Sequence, residues 1–156
     1  MENHSQAIQD IAVQLIDLMG VDSRVGVAEK EGVFTVQVNA ENTGMLIGYH
    51  GETLSAFQLI LGLLIHKQTG EWVKIAVNVG DYLEKRLKQL EQMADNAVGR
   101  AREDGVSVTL PYLNSRERRH IHLYLEGVDG IRTESVGEDE ERRLVIFPTT
   151  SAKPAQ

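Results

Sequence analysis

Residues Leu46–Lys67, LIGYHGETLSAFQLILGLLIHK, decide how this chain is read. A short apolar turn from Thr43 runs into Ile47-Gly48-Tyr49-His50-Gly51, a loop in which glycines bracket two residues. From Glu52 to Gln68 apolar residues crowd one side of a helix (Leu54, Phe57, Leu61, Leu64, Ile65) and Gly70 follows, so the segment reads as a buried helix. Glycine at both ends of the loop leaves no side chain there, and a sugar-phosphate backbone can approach the peptide closely. The helix that follows points its unpaired N–H groups at the phosphates. Taken alone, G-x-x-G is more often an ordinary turn between helices. Its neighbours decide.

Upstream, residues 5–19 carry a helical stripe of Ile8, Ile11, Ala12, Leu15, Ile16 and Met19 that Gly20 stops. Val25–Glu29 and Val33–Val38 alternate apolar and polar across Glu31-Gly32, which reads as a β-hairpin with one buried face. Downstream, Trp72–Val79 alternates again as a third strand. The first half is therefore α-β-β-α-α-β. The second half opens with a long helix. Asp81 and Glu84 have the spacing of a capping pair, Leu83, Leu87, Leu90, Ala94, Ala97 and Ala101 form its apolar stripe, and Gly105 closes it. Val106–Leu110 is a short strand ended by Pro111. Residues 115–126 are helical, with Ser115 as cap and Ile121, Leu123 and Leu125 as apolar positions. Ile131–Val136 and Arg142–Phe147 form a hairpin across an acidic turn. This half is α-β-α-β-β, without a repeat of the first. The expected domains are 1–80 and 81–148, with 149–156 a disordered polar tail.

A chain of 156 residues has room for one ordinary domain or two small ones. Aromatic residues make up only 5%, so the core rests on Val, Ile, Leu and Ala. The absence of cysteine excludes disulfides, thiolate metal sites and thiol catalysis. The longest apolar stretch, Leu59–Ile65, falls far short of the roughly 20 residues that span a bilayer. The first twenty residues carry acidic groups and no Lys or Arg, unlike a signal peptide, so the expectation is a soluble cytoplasmic protein with no membrane attachment. Net charge is -7, yet half of the sixteen Lys and Arg residues fall within residues 81–120. Binding depends on the local field, so acidity here predicts modest affinity for nucleic acid rather than none.

That basic segment holds a second constellation, Arg116-Glu-Arg-Arg-His-Ile-His122, in which Arg116/His120 and Arg118/His122 each share a helix face. Spacing alone fits a solvated helix with a structural histidine equally well. His120-x-His122 also has the form of a hydrolase metal motif, but on a helix i and i+2 point about 200° apart and cannot share one ion. No nucleotide-binding, zinc-protease or serine-hydrolase motif occurs. No catalytic residue, metal or cofactor is expected.

The order α-β-β-α-GxxG-α-β is that of a type II KH domain, whose signature stretch residues 46–67 resemble. Leu110–Pro148, with its ERRHIH run before a strand hairpin, resembles the R-three-H domain. That signature, Arg-x-x-x-His, lands on Arg118 and His122 and leaves Arg116 and His120 as flanking positions. The pair in this order, over roughly residues 1–148, is similar to the Jag family of bacterial RNA-binding proteins, also called the KhpB or EloR family. The resemblance implies an α+β chain, a type II KH domain followed by a small R-three-H α/β sandwich. It implies cytoplasmic binding of single-stranded RNA or DNA, and a partner that is a small stand-alone KH protein or a second copy docked through the KH domain. It also implies links to cell elongation and division. KH modules clamp about four nucleotides. By resemblance Gly48 and Gly51 give close approach, Ile47 and Leu54 floor the groove, and Tyr49 and His50 meet base or phosphate. Arg118 and Arg119 supply charge and His122 a donor. Two differences stand out. Many members carry an N-terminal Jag domain, for which there is no room before residue 5, and family loops usually hold basic residues where this one has Tyr49 and His50. The acidic charge and non-basic loop keep a second class open, a KH-mediated protein–protein scaffold with weak or no nucleic-acid binding.

Overall fold

Helix α1 (Glu2–Leu18) turns Ile8, Ala12 and Ile16 fully inward and packs Ile11 and Leu15, with Met19 just past its end, at the margin of the same core. The stripe expected from sequence is the buried one. Strands β1 (Ser23–Lys30) and β2 (Val33–Ala40) pair antiparallel, with Lys30 opposite Val33. Glu31 and Gly32 between them have φ of 52° and 76°, the doubly left-handed turn whose twist matches that of the strands it joins. β2 also pairs, in parallel, with β3 (Lys74–Val79), so that Phe34, Val36 and Val38 stand opposite Ile75, Val77 and Val79. The sheet order is β1-β2-β3. The single-turn helix α2 (Gly44–Ile47) leads through the loop to α3 (Glu52–Thr69), which seals the sheet with Leu54, Phe57, Leu61 and Ile65. Each such side chain contributes roughly 1.5–3 kcal/mol by leaving water. The third strand starts at Lys74 rather than Trp72. The Trp72 ring is exposed and lies flat on His66, centroids 3.9 Å apart, instead of joining the sheet.

This is a computed structural model describing residues 2–149, and the chain divides after Leu83 into two compact units. The second contains most of α4 (Tyr82–Asp104), then β4 (Val108–Thr109), α5 (Ser115–Tyr124), β5 (Ile131–Val136) and β6 (Arg143–Pro148). Its antiparallel sheet has the order β4-β6-β5. Leu90, Ala94, Ala97 and Ala101 of α4 meet Leu113, Ile121, Leu144 and Ile146 in its core. The small alanines let the helix backbone lie close to the layer beneath. Residues 150–156 of the expected tail lie outside the described residues. Thr149 does not behave as tail, since its N–H donates to the Gly130 carbonyl at 2.9 Å.

Four local expectations are corrected. The buried stripe of α4 begins at Leu90, while Leu83 and Leu87 are exposed and Arg86 is buried in their place. Leu123 is exposed, because a residue two after the buried Ile121 faces away on a helix. Strand β4 is only two residues long, and Val106 lies exposed before it. The cap of α5 is Asn114, not Ser115: the Asn114 side chain accepts from the Glu117 N–H at 2.9 Å, and Glu117 accepts from the Asn114 N–H at 3.1 Å. Glu117 has a second task. Its Oε1 receives Nε of Arg86 at 2.7 Å, with the two side chains 13% and 8% exposed.

Removing one partner of a buried pair strands the other charge, at a cost of about 3–5 kcal/mol, whereas an N-cap alone contributes about 1 kcal/mol. Glu117→Ala should therefore destabilise the second unit by several-fold more than Asn114→Ala, and Arg86→Met in the Glu117→Ala background should recover most of the difference. Urea denaturation of the three variants measures this. Equal losses for Glu117→Ala and Asn114→Ala would mean the ion pair contributes nothing.

Candidate nucleic-acid interface

The loop that follows α2 is built by backbone conformations that ordinary residues avoid. The Ile47 N–H donates to the Thr43 carbonyl and the Gly48 N–H to that of Gly44, closing the single helical turn. Gly48 then takes φ 70°, ψ -171°, a region open in practice to glycine alone. His50 (φ 50°) and Gly51 (φ 82°) are left-handed as well. The space beside each glycine is filled by the protein itself. A Cβ on Gly48 would collide with the Thr53 hydroxyl and lie 2.7 Å from the Thr53 Cβ, and one on Gly51 would lie 2.6 Å from the Tyr82 hydroxyl oxygen. Both glycines are thus required by the loop's own path and packing.

What the loop presents outward is aromatic. Tyr49 is 73% exposed, and its ring stacks on His50 with centroids 3.9 Å apart and planes 22° from parallel. Gly51 caps α3 without a side-chain hydrogen bond, and the exposed Glu52 sits in the first turn. Gly48, Tyr49, His50 and Gly51 are therefore contiguous at the start of α3. Ile47 is half-buried against the core, and Leu54, at 6% exposure, belongs to the core itself.

In the second unit, α5 keeps Arg118 and His122 on one side and turns His120 to another. Arg118 is half-buried and its Nη1 donates to the Leu113 carbonyl at 2.5 Å, while Nδ1 of the exposed His122 meets the Thr133 hydroxyl of β5 at 2.5 Å. Arg116 and Arg119 are exposed. His120 instead faces α4, with Nε2 3.1 Å from the Glu91 carboxylate, and the Tyr124 hydroxyl donates to both carboxylate oxygens of Asp95 at 3.1 Å. Together with Arg86–Glu117 these contacts make three polar rungs between α4 and α5. The hydrogen bond to Asp95, reinforced by the negative charges of Asp95 and Glu91, raises the Tyr124 phenol above its ordinary value of 10. The two histidines of the His-x-His motif have separate partners on different elements. Among the described residues no three His, Asp or Glu side chains gather as a metal site would require.

Sequence reasoning missed Thr53, Tyr82, Arg86, Glu91 and Thr133. Only the Arg86 partner left a trace: Asn114-x-x-Glu117 has the spacing of a capping box. Nothing local to the loop announces Thr53 or Tyr82 as its packing.

A three-stranded sheet under α1 and α3, with a GxxG loop between α2 and α3, followed by an α-β-α-β-β unit carrying Arg-x-x-x-His, defines a KH domain joined to an R-three-H domain. Sequence-family comparison agrees: residues 5–78 match the KhpA/KhpB KH domain and residues 88–148 the R-three-H domain. Over most of its length the chain is similar to proteins of the KhpB family. It is 29% identical over 147 residues to RNA-binding protein KhpB of Clostridium symbiosum, covering 90% of this chain and 66% of the relative. With RNA-binding protein KhpB of Bacillus subtilis it shares 32% over 126 residues, or 80% and 61% of the two chains. The Streptococcus pneumoniae protein of the same name is 28% identical over 132 residues, 85% of this chain and 40% of that one. The chain thus spans 40% to 66% of the length of these three relatives. Among the described residues no helix is long and apolar enough to cross a membrane.

Two measurements check this geometry. Gly48→Ala should cost at least about 1–3 kcal/mol of stability through strain, whereas Gly62→Ala, a helical position with open space beside it, should be neutral or gain up to about 1 kcal/mol. Tyr124 gives a pH test. A group whose folded pKa is raised stabilises fully below its unfolded value and loses that stabilisation as pH climbs through the folded one. Urea midpoints should therefore fall as pH rises past about 10, and Tyr124→Phe should flatten that alkaline decline.

Proposed function

We propose that this chain binds single-stranded RNA in the cytoplasm and performs no chemistry on it. The observation that carries this reading is the GYHG loop: an exposed aromatic pair on a glycine-shaped turn, directly before a helix whose first N–H groups have no side-chain cap. The name of the relatives, RNA-binding protein, points the same way. Phosphates would meet the loop backbone and the start of α3, and Tyr49 would stack on a base. A strand of about four nucleotides fills such a site. Arg119, the remaining guanidinium N–H groups of Arg118 and Nε2 of His122 form a second phosphate-facing surface. Arg118 and His122 each spend one nitrogen on holding α5 in place.

Replacing both Tyr49 and His50 with Asp puts anions where phosphates lie. It should weaken binding of a short single-stranded RNA at least about tenfold, with the fold retained. With three to four phosphate contacts and roughly 0.7 counterions released per contact, log affinity should fall against log salt with a slope of about -2 to -3. Fluorescence anisotropy across a salt series measures both. Undiminished affinity in the folded double variant removes the loop from the mechanism, and a slope steeper than about -5 shows a larger basic surface.

A second reading rests on a different face. Leu59, Ile60 and Leu63 line the outward side of α3, opposite Leu61 and Ile65, and all three are exposed. We propose that a small KH protein, or a second copy of this chain, covers that face. Leu59→Glu with Leu63→Glu should then convert a concentration-dependent dimer to monomer in sedimentation without altering RNA affinity per chain. A chain that is monomeric before substitution and takes up no KH partner would exclude it.

A further inference from the structure

On the face of the second unit formed by α4 and β4 lies a groove of about 580 Å³, within the range that holds small ligands. It uses neither Arg118 nor His122. One wall is a single ridge of α4, Lys88, Gln92, Asn96 and Arg100, spaced four residues apart so that all four project side by side. The ridge reads cation, amide, amide, cation along about 18 Å of helix. All four side chains are exposed, and Gln92 already donates to Asn96 at 3.1 Å, leaving the Gln92 carbonyl and the Asn96 amide hydrogens outward. The floor is apolar, made by Met93, Ala97, Val108 and Leu110. The far rim is the free edge of β4. Because Thr109 faces Val145 and the Leu110 N–H donates to the Leu144 carbonyl, the antiparallel alternation turns the N–H and C=O of Thr109 away from β6.

We infer that this groove holds an unpaired base of single-stranded RNA over Met93, with the neighbouring phosphates on Lys88 and Arg100. Three observations choose this occupant. The lining holds two cations and no carboxylate, in a chain whose net charge is -7. The amides and the Thr109 edge offer adjacent donors and acceptors to a Watson–Crick edge, while the Met93 sulfur and an apolar floor suit the face of a ring. An extended peptide fits less well, because β4 contributes only one residue with outward-facing backbone groups, too little for strand addition but enough for one base. Lys88 pairs with Glu84 at 3.1 Å on the open surface, a contact too weak to withhold it from a phosphate.

The inference rests on the RNA-binding reading, and the test keeps the two apart. Amide resonances of the isotope-labelled full chain are followed while an octameric oligoadenylate is added, for the wild type and for Tyr49→Asp/His50→Asp. Thr109 and Met93 should shift in both proteins, and Tyr49 and Gly51 in the wild type only. Lys88→Glu with Arg100→Glu should remove the Thr109 and Met93 shifts, leave those at Tyr49 and Gly51, and reduce the salt slope by about 1.4, two contacts' worth. Lys88→Ala with Arg100→Ala, should the reversal disturb folding, is expected to do the same. Shifts confined to residues 43–54 would overturn the groove while the loop stands. No shift at either place overturns the RNA reading and the groove with it. Shifts of Thr109 given by an alternating Val-Thr hexapeptide but not by the RNA would overturn the inference in favour of a protein edge.

Discussion

Arg86 is the only charged side chain among the buried residues of the described chain, and Glu117 is what allows it to be there. An isolated guanidinium cannot leave water cheaply, so wherever Arg86 goes its carboxylate must follow. Glu117 is in turn fixed by the Asn114 capping box. The first turn of α5 is thereby held against α4 at one point, from which the rungs Glu91–His120 and Asp95–Tyr124 run down the helix pair. The rotation of α5 about its axis follows from this. With His120 and Tyr124 turned to α4, Arg118 and His122 face the other way, toward Leu113 and β5, and Arg119 toward solvent. The R-three-H signature is presented where it is because of an ion pair outside the signature.

The loop of the first unit obeys a different kind of constraint, one of backbone angle. Three of its four residues have positive φ, and Thr53 and Tyr82 occupy the volume that side chains at Gly48 and Gly51 would need. The glycines therefore shape the turn before any ligand arrives. Within that frame it is the side chains of Tyr49 and His50 that face solvent. Here they form an aromatic stack rather than a pair of cations, which shifts the proposed contact from charge toward stacking.

Element order was readable because it depends on periodicity. The three- and four-residue spacing of α1 and α3 and the alternation of β2 are each a direct imprint of one buried face, and the buried residues are those the pattern marks, save that Ala7 is buried unmarked and Leu64, marked, is only half-buried. At Leu83 and Leu87 the reading failed because a long-range polar partner had overridden the local pattern. Leu83 and Leu87 look like core on a helical wheel, but the ion partner of Arg86 lies 31 residues away, and no window along the chain contains both. Trp72 looks like the start of a strand, yet it pairs with His66 by ring stacking. For the candidate site, the loop residues could be named from sequence. The packing that holds them, and the groove between α4 and β4, arise only when separate elements come together.

Tyr82 has one more implication. It opens α4 and lies beyond residue 78, where the match to the KH family ends, yet its ring is what fills the space beside Gly51. The unit that is complete in packing is thus longer than the unit recognisable in sequence. Any gene rearrangement that transplanted residues 5–78 as a self-sufficient cassette would carry the fold signature but leave its loop unsupported on one side. The start of α4 therefore belongs to the packing of the first module, and an exchange that keeps the loop supported has to retain the chain through Tyr82.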